Sequence, residues 1–498
     1  DPEMTCRARP IPAQLGLLFV LSCSSAPASK SEATGPDPTA AGSAGEDGGD
    51  GTSGDGSGGD GSDSGLTEWT ADCTETDEFG PVFEATRAVW DAQDAAVPWP
   101  AGGLVFVGSS SIRRWRSMSR DYADHEIIQR GFGGAQLAEV AQHTEALITR
   151  HHPAGVVIYA GTNDVAAGVA PDVVADRLRC MHARLRTTLG PTVPVLFIGV
   201  TPSPARWDSH DQAEALNAEA AALATDDPAF VYVDVSTPFL ATGSPPDAAL
   251  FVGDGLHLSA DGYALWNSVI RAAVDRMLPT STASHTAPGL VAGERVLVDL
   301  GASDATNGEH SASPDHLGQH WNNWHGLSGG AEILPGERLA NLLTSEGSPT
   351  GLDLVITGGF FNNGREHGGL RWPDSDRLGT LAVGTATEDF FYTDGEDHSG
   401  GLVLRGLDPS AHHELRLFAS RASEEVRVTG YTVQGADRWS QSLQTSGPGA
   451  GTSIENDDTV IVFDDVQADA WGRIFVELDT EAGPYGYLSL LELSVWVP

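Results

Sequence analysis

From residue 104 to residue 235 the chain repeats one pattern: a short apolar run, a turn of small or polar residues, then a longer amphipathic segment. The runs Leu104–Gly108, Glu126–Gln129, Gly155–Ala160, Val193–Val200 and Phe230–Val235 are rich in Val, Ile and Phe. Most are apolar on both faces, as strands covered on both sides should be. Between them the spacing predicts helices over Gln136–Arg150, Pro171–Leu189 and Asp211–Ala224, and a closing helix over Ala260–Met277. Strands alternating with helices predict an α/β domain, a parallel sheet with helices on both faces, over residues 68–278.

The pattern then changes. Residues 279–290 are a Ser/Thr/Ala/Pro linker. Beyond it, in 291–498, short segments such as Arg295–Asp299, Leu352–Ile356, Gly401–Leu404, Val426–Val433 and Gly472–Leu478 alternate apolar with polar residues between Gly/Asn/Asp/Pro turns. That pattern predicts an all-β, antiparallel, jelly-roll-like sandwich.

The N-terminal end carries neither period. Residues 24–67 are Gly, Ser, Asp, Ala and Pro with almost no aliphatic side chain, so they cannot bury enough to offset chain entropy and read as a flexible acidic linker. Ahead of them, Arg7 and Arg9 precede the apolar stretch Ile11–Leu21 and the triplet Leu21-Ser22-Cys23. Residues 1–23 resemble a bacterial lipoprotein signal, which implies cleavage before Cys23 and its lipidation. The protein is therefore expected to be exported and tethered to the cell envelope, or secreted. Beyond the signal, Cys73 and Cys180 remain; an exported chain permits a disulfide between them, the alternative being two free thiols.

Charge narrows the partners. The sequence has 28 Lys+Arg against 69 Asp+Glu, a net charge of −41. A phosphate-binding surface needs the opposite sign, so nucleic acid is not an expected partner. No apolar run reaches the ~18 residues of a spanning helix, which excludes a polytopic membrane protein. Membrane contact is expected only through the lipid anchor.

In open α/β sheets the chemistry lies at the carboxyl ends of the strands. After the first strand comes Gly108-Ser109-Ser110-Ser111, a small hydroxyl-rich turn that can present a serine at a helix start or merely cap it. After the second comes Arg130-Gly131-Phe132-Gly133-Gly134, whose glycines let backbone N–H groups approach a reacting oxygen. After the third comes Gly161-Thr162-Asn163-Asp164, with an amide able to donate into a cleft. Before the last helix stands Asp254-Gly255-Leu256-His257, where a carboxylate three residues from an imidazole can orient it.

Together, and in this order, these four blocks resemble the SGNH hydrolases, the GDSL esterase/lipase family. The resemblance implies a flavodoxin-like α/β/α sandwich and a serine esterase that needs no metal or cofactor. Carried over by position, it implies a nucleophile at Ser110, its triad partners at His257 and Asp254, and an oxyanion hole from Ser110, Gly134 and Asn163. One departure stands in the first block: the family's usual Gly-Asp-Ser-Leu reads Gly108-Ser109-Ser110-Ser111 here. The expected substrate is an acyl ester, with acetyl groups on a polysaccharide first. A lysophospholipase or short-chain lipase of the same fold is the alternative, and an inactive glycan-binding surface lipoprotein is a third reading.

In the C-terminal half, the Gly326-Leu327-Ser328-Gly329-Gly330 pattern has polar flanks rather than the strand and helix of a nucleophile elbow, and reads as a loop. His316, His320 and His325 lack a ligand periodicity, so no metal is expected. Trp321, Trp324 and Trp372 stand in loop-like contexts and are the candidate faces for stacking on sugar rings. Oligomeric state is not legible.

Overall fold

The structure is a computed structural model that describes residues 81–278, 290–326, 329–394 and 400–496. The signal and spacer at 1–67, the 279–289 part of the linker, Cys23 and Cys73 lie outside these residues.

The apolar runs form five parallel strands, β1 (Leu104–Gly108), β2 (Ile127–Gly131), β3 (Gly155–Tyr159), β4 (Val195–Ile198) and β5 (Phe230–Val233). Their order is β2-β1-β3-β4-β5, the flavodoxin-like order. β1 and β3 are fully buried along their length. One face of the sheet packs under the helices Leu137–Gln142, Pro171–Leu189 and His210–Asp226, and the other under Ala260–Met277. In this order the chain direction switches between β1 and β3, so the loops after these two strands open a crevice at their carboxyl ends. Gly108 ends β1 at φ +142°, and a Cβ there would lie 1.9 Å from the Tyr159 carbonyl oxygen. Only glycine lets these two strand ends approach so closely.

The expected long helix at 136–150 is broken into Leu137–Gln142, Thr144–Leu147 and a short turn at Thr149–His151. The amphipathic pattern predicted their shared buried face but not the breaks. A further helix, Pro81–Ala96, packs Phe83 and Trp90 on Phe132.

The C-terminal half is built of antiparallel β-sheets. A six-stranded sheet runs in the order Arg438–Ser446, Arg427–Gln434, Arg473–Ala482, Gly401–Arg405, Asp353–Gly358, Arg338–Leu339. A five-stranded sheet contains Ile461–Gln467, His412–Phe418, Leu490–Val495, Arg295–Ala302 and Asn322–Gly326, of which the last two pair in parallel. A four-stranded sheet is made by Gly486–Leu488, Phe390–Thr393, Phe360–Asn363 and Glu332–Ile333.

Strand alternation explains how the halves meet. Successive residues of a strand point to opposite faces. In the six-stranded sheet, Leu354, Ile356, Leu402, Leu404, Ile474 and Val476 face the five-stranded sheet and share its core. Val355, Val403 and Phe475 point the other way and belong to the core of the α/β half. The central strands of that sheet are therefore buried on both faces, and the described residues form one compact unit.

On the same outward face stand Asp353, Arg405 and Arg473, which enter a buried network. Arg405 pairs with Asp353 at 3.0 Å and with Glu126, and lies 3.9 Å over the Trp99 ring. Arg338 pairs with Asp353 and lies 4.7 Å over the same ring. The Trp99 indole donates to Asp94 at 2.9 Å, and Arg130 donates to both Asp94 oxygens at 2.7 and 2.9 Å. Burial pulls the Arg130 guanidinium down to about 10, against the upward pull of Asp94, so it stays charged at neutral pH. Arg473 donates to the His125 carbonyl at 2.7 Å and to the Ala123 carbonyl.

Breaking one member of such a buried set leaves its partners uncompensated. Replacing Arg405 with Met should therefore cost about 3–5 kcal/mol of stability, read from urea unfolding of the full chain. A loss under about 1 kcal/mol, the scale of a surface ion pair, would contradict this account of the junction.

Candidate active site

Ser110 is the first residue of a short helix, Ser110–Arg113, that follows β1 directly. Of the three adjacent serines, only Ser110 meets the imidazole. Its Oγ lies 2.9 Å from His257 Nε2. Ser109 is buried with no partner for its hydroxyl among the described residues, and Ser111 offers its carbonyl to the Tyr263 hydroxyl at 2.8 Å.

The Asp254–His257 turn is closed by an isolated bridge between Phe251 and Leu258, and by the Val252 N–H donating to the His257 carbonyl at 2.9 Å. It leads into the helix Ala260–Met277, capped by Ser259. Within it, Asp254 Oδ2 lies 2.6 Å from His257 Nδ1, and Oδ1 accepts from the Leu256 and His257 N–H groups at 2.8 and 2.9 Å. Partial burial acts to raise the Asp254 carboxyl, but the imidazole and the two backbone donors outweigh it and hold the group at about 2. The carboxylate is thus ionised at neutral pH, and the His257 ring is fixed with Nε2 toward the serine.

Of the other two blocks, Asn163 lines a recess together with Ser110, and the glycine loop is joined to Asn163 through Ala135. Gly134 sits in the loop after β2 at φ +78°, where its N–H is not used by another group among the described residues. The Ser110 N–H likewise has no acceptor there. Asn163 follows β3, and its Nδ2 donates one hydrogen to the Ala135 carbonyl at 2.8 Å, leaving the second free. Its Oδ1 accepts from Arg206 at 2.8 Å, which fixes which end of the amide is the donor. Arg206 also donates to Thr162 Oγ1 at 3.0 Å. The neighbouring Asp164 is fully buried; it accepts from the Leu137 N–H at 3.0 and 3.2 Å and from Arg177 at 2.8 Å. It therefore ties the glycine loop to the asparagine loop. Burial pushes its carboxyl upward, and these donors oppose that shift.

Arg206 was not visible in the four sequence blocks. The signal lay in the loop after β4, Thr201-Pro202-Ser203-Pro204-Ala205-Arg206, which also ends at the carboxyl edge of the sheet.

A recess of about 10 Å³ is lined by Ser110, Tyr159, Asn163, Arg206 and Leu256, among others. His257 lines a separate groove of about 970 Å³ whose walls include Arg114, Arg120, Asp121 and Asn267 from the α/β half and Glu332 and Phe361 from the β half. Arg116 and Glu332 pair across it at 2.9 Å.

Elsewhere the structure corrects the sequence reading. Trp321 and Trp324 are 2% and 9% exposed, so neither offers a face to a sugar. Trp324 is not in a loop: it lies in the strand Asn322–Gly326 and packs edge-on to Phe391. Trp321 donates to Asp315 at 2.8 Å and fills a small core with Leu297 and Phe418. Trp372, at 84% exposed, remains available. Cys180, buried in the helix Pro171–Leu189, is disulfide-bonded. Leu327 and Ser328 of the G-x-S-x-G look-alike lie outside the described residues.

Residues 101–265 match the GDSL-like Lipase/Acylhydrolase family. This part of the chain is a GDSL-like acylhydrolase domain. Solved structures similar to the chain include a GDSL-like lipase from Bacteroides thetaiotaomicron, 22% identical, covering 39% of this chain and 98% of its own, with a TM-score of 0.35. A lipase/acylhydrolase from Enterococcus faecalis is 16% identical over 36% of this chain and 100% of its own, with a TM-score of 0.30. A catalytic mutant of an acetylxylan esterase from Geobacillus stearothermophilus is 14% identical over 36% of this chain and 95% of its own, also with a TM-score of 0.30. No curated protein matches.

Arg206 holds Asn163 Oδ1 and Thr162 Oγ1, so a part for it in ester hydrolysis is expected to run through that amide. Arg206→Ala should lower kcat for p-nitrophenyl acetate by about 10–100-fold, less than the ~10²–10³-fold typical of deleting a transition-state donor. Asn163→Ala should cost that larger factor, and the double variant little more than Asn163→Ala alone. Additive losses in this cycle would show that Arg206 does not work through the amide.

Proposed function

We propose that the chain is a serine esterase that removes short acyl groups, acetyl first, from a hydrophilic alcohol such as a polysaccharide. The observation that carries the reading is the hydrogen-bonded series Ser110–His257–Asp254, at 2.9 and 2.6 Å, beside unused amide donors. In this reading His257 Nε2 takes the Ser110 proton as Oγ attacks the ester carbon. The negative charge that develops on the carbonyl oxygen is met by the Ser110 and Gly134 N–H groups and the free hydrogen of Asn163. Asp254 stabilises the imidazolium that forms. That imidazolium then protonates the leaving alcohol, and a water activated by His257 releases the acid and restores Ser110.

One feature supports a short acyl group. The recess beside Ser110, at about 10 Å³, has room for little more than a methyl group. The larger groove mixes charged and amide side chains such as Arg114, Arg120, Asp121 and Asn267 with apolar ones such as Val252, Leu258, Tyr263 and Phe361, so its lining does not choose between a polar alcohol and an acyl chain.

Ser110→Ala should abolish hydrolysis of p-nitrophenyl acetate, by about 10³-fold or more, with the circular dichroism spectrum unchanged. Ser109→Ala and Ser111→Ala should retain most of it. Against the intact enzyme, kcat/KM for the acetate should exceed that for the octanoate by more than about tenfold, roughly 1.4 kcal/mol in barrier. Equal or faster octanoate turnover would favour the lipase reading instead.

A pH profile tests the carboxylate. Asp254 is held low, at about 2, so it is charged at every pH above that and stays charged while an imidazole takes up its proton. The acid limb of log kcat/KM should therefore fall with a slope of one down to about pH 4. A slope of two would mean that the carboxylate protonates over the same range.

A further inference from the structure

In the β half, three side chains distant in sequence meet in a fully buried cluster. Asp299 lies on the strand Arg295–Ala302 and His325 on its parallel neighbour Asn322–Gly326, where Gly301 stands opposite His325. Asp389 immediately precedes Phe390–Thr393 in the four-stranded sheet. All three side chains are 0% exposed. Two glycines make the approach feasible: a Cβ on Gly301 or Gly308 would come within 2.1 or 1.9 Å of the Asp389 carboxylate.

One oxygen of each carboxylate is anchored. Asp299 Oδ2 accepts from the Ser311 N–H at 3.0 Å, and Asp389 Oδ2 from the Ala302 N–H at 3.1 Å. The remaining atoms are stranded. Asp299 Oδ1, Asp389 Oδ1 and both nitrogens of His325 have no hydrogen-bond partner among the described residues. The nearby Arg365 is taken by Glu388 at 2.8 Å and Glu309 at 3.0 Å. Two buried carboxylates without a cation are among the most costly arrangements a fold can hold.

A protonated imidazole bridging the carboxylates would relieve that cost, but it would draw them in to about 2.7–2.9 Å with aligned N–H groups. The separations here are longer: 3.3 Å from His325 Nε2 to Asp299 Oδ1 and 3.7 Å to Asp389 Oδ2. Those lengths lie near the edges of a coordination shell instead. Ligands at about 2.0–2.2 Å from a tetrahedral ion stand roughly 3.3–3.6 Å apart. The ligating atoms of all three residues lie within 4.8 Å of one another. The donor set, one imidazole and two carboxylates, suits zinc or manganese rather than calcium, which takes six to eight oxygens.

We propose that Asp299, His325 and Asp389 bind one divalent transition-metal ion, zinc or manganese, that clamps the five-stranded sheet to the four-stranded one. This site is independent of the proposed esterase chemistry, and it reverses the sequence-level expectation of no metal.

The test uses the full chain, stripped by dialysis against a chelator and then titrated separately with zinc chloride and manganese chloride by calorimetry and thermal unfolding. One ion should bind per chain and raise Tm. Asp389→Asn and His325→Gln, which preserve shape, should weaken that binding at least a hundredfold. Should either variant fail to fold, the stripped wild-type protein decides. The proposal is overturned if neither ion binds saturably up to about 1 mM or shifts Tm, or if the folded Asp389→Asn protein keeps its stoichiometric ion.

Discussion

A carboxylate removed from water has to find donors, and at Asp164 the donors are the Leu137 N–H and the Arg177 guanidinium. These bonds join the loop after β2 to the loop after β3. Gly134 stands three residues before Leu137, and Asn163 is the residue before Asp164. The two proposed oxyanion donors are therefore fixed to each other through a group that touches neither the nucleophile nor the base. Around that tie, Gly108 lets the end of β1 lie against Tyr159, which brings Ser110 to the same edge. The Asp254–His257 turn, held by the Phe251–Leu258 bridge, supplies the remaining side. A site assembled from four loops gains its precision from such cross-links.

The β half is joined to this scaffold through a sheet whose central strands are buried on both faces. Its outward side chains alternate between apolar contacts, Val355, Val403 and Phe475, and charged ones, Asp353, Arg405 and Arg473. Trp99 lies under the Arg338 and Arg405 guanidiniums and donates to Asp94, so one indole links the helix–strand connection of the first half to the sheet of the second. The consequence for function is spatial. Glu332 and Phe361 form part of the wall of the groove beside His257. The second half thus supplies part of a groove at His257 as well as packing against the domain that carries it.

Much of this was legible in the sequence because the signals are local. Apolar runs of four to eight residues marked β1 to β5, and each block of site residues directly follows a strand or precedes a helix. The helix Pro81–Ala96 escaped notice because few of its described side chains are both apolar and buried, Phe83 and Trp90, and the charged Asp94 is buried with them. The strands of the β half were read as alternating apolar and polar. Gly401–Arg405 is instead buried throughout, since its polar-looking face meets the other half of the molecule. Trp321 and Trp324 misled for a related reason: the sequence around them is polar and has little regular pattern, but Asn322 donates to a buried backbone carbonyl there and the half-buried Asp315 accepts from the Trp321 indole. Asp299, His325 and Asp389 have no spacing signature at all, because only the pairing of strands brings them together.

The claim that Ser110 is the activated hydroxyl is tested most directly by reaction with diisopropyl fluorophosphate, followed by peptide mass mapping. Phosphorylation of an unactivated serine is slow, so the reagent reports activation by the base as well as position. The account predicts one adduct per chain, on Ser110, formed at a rate that collapses in His257→Ala. An adduct on Ser109 or Ser111, or full esterase activity in protein that carries no label on Ser110 after prolonged exposure, would contradict it.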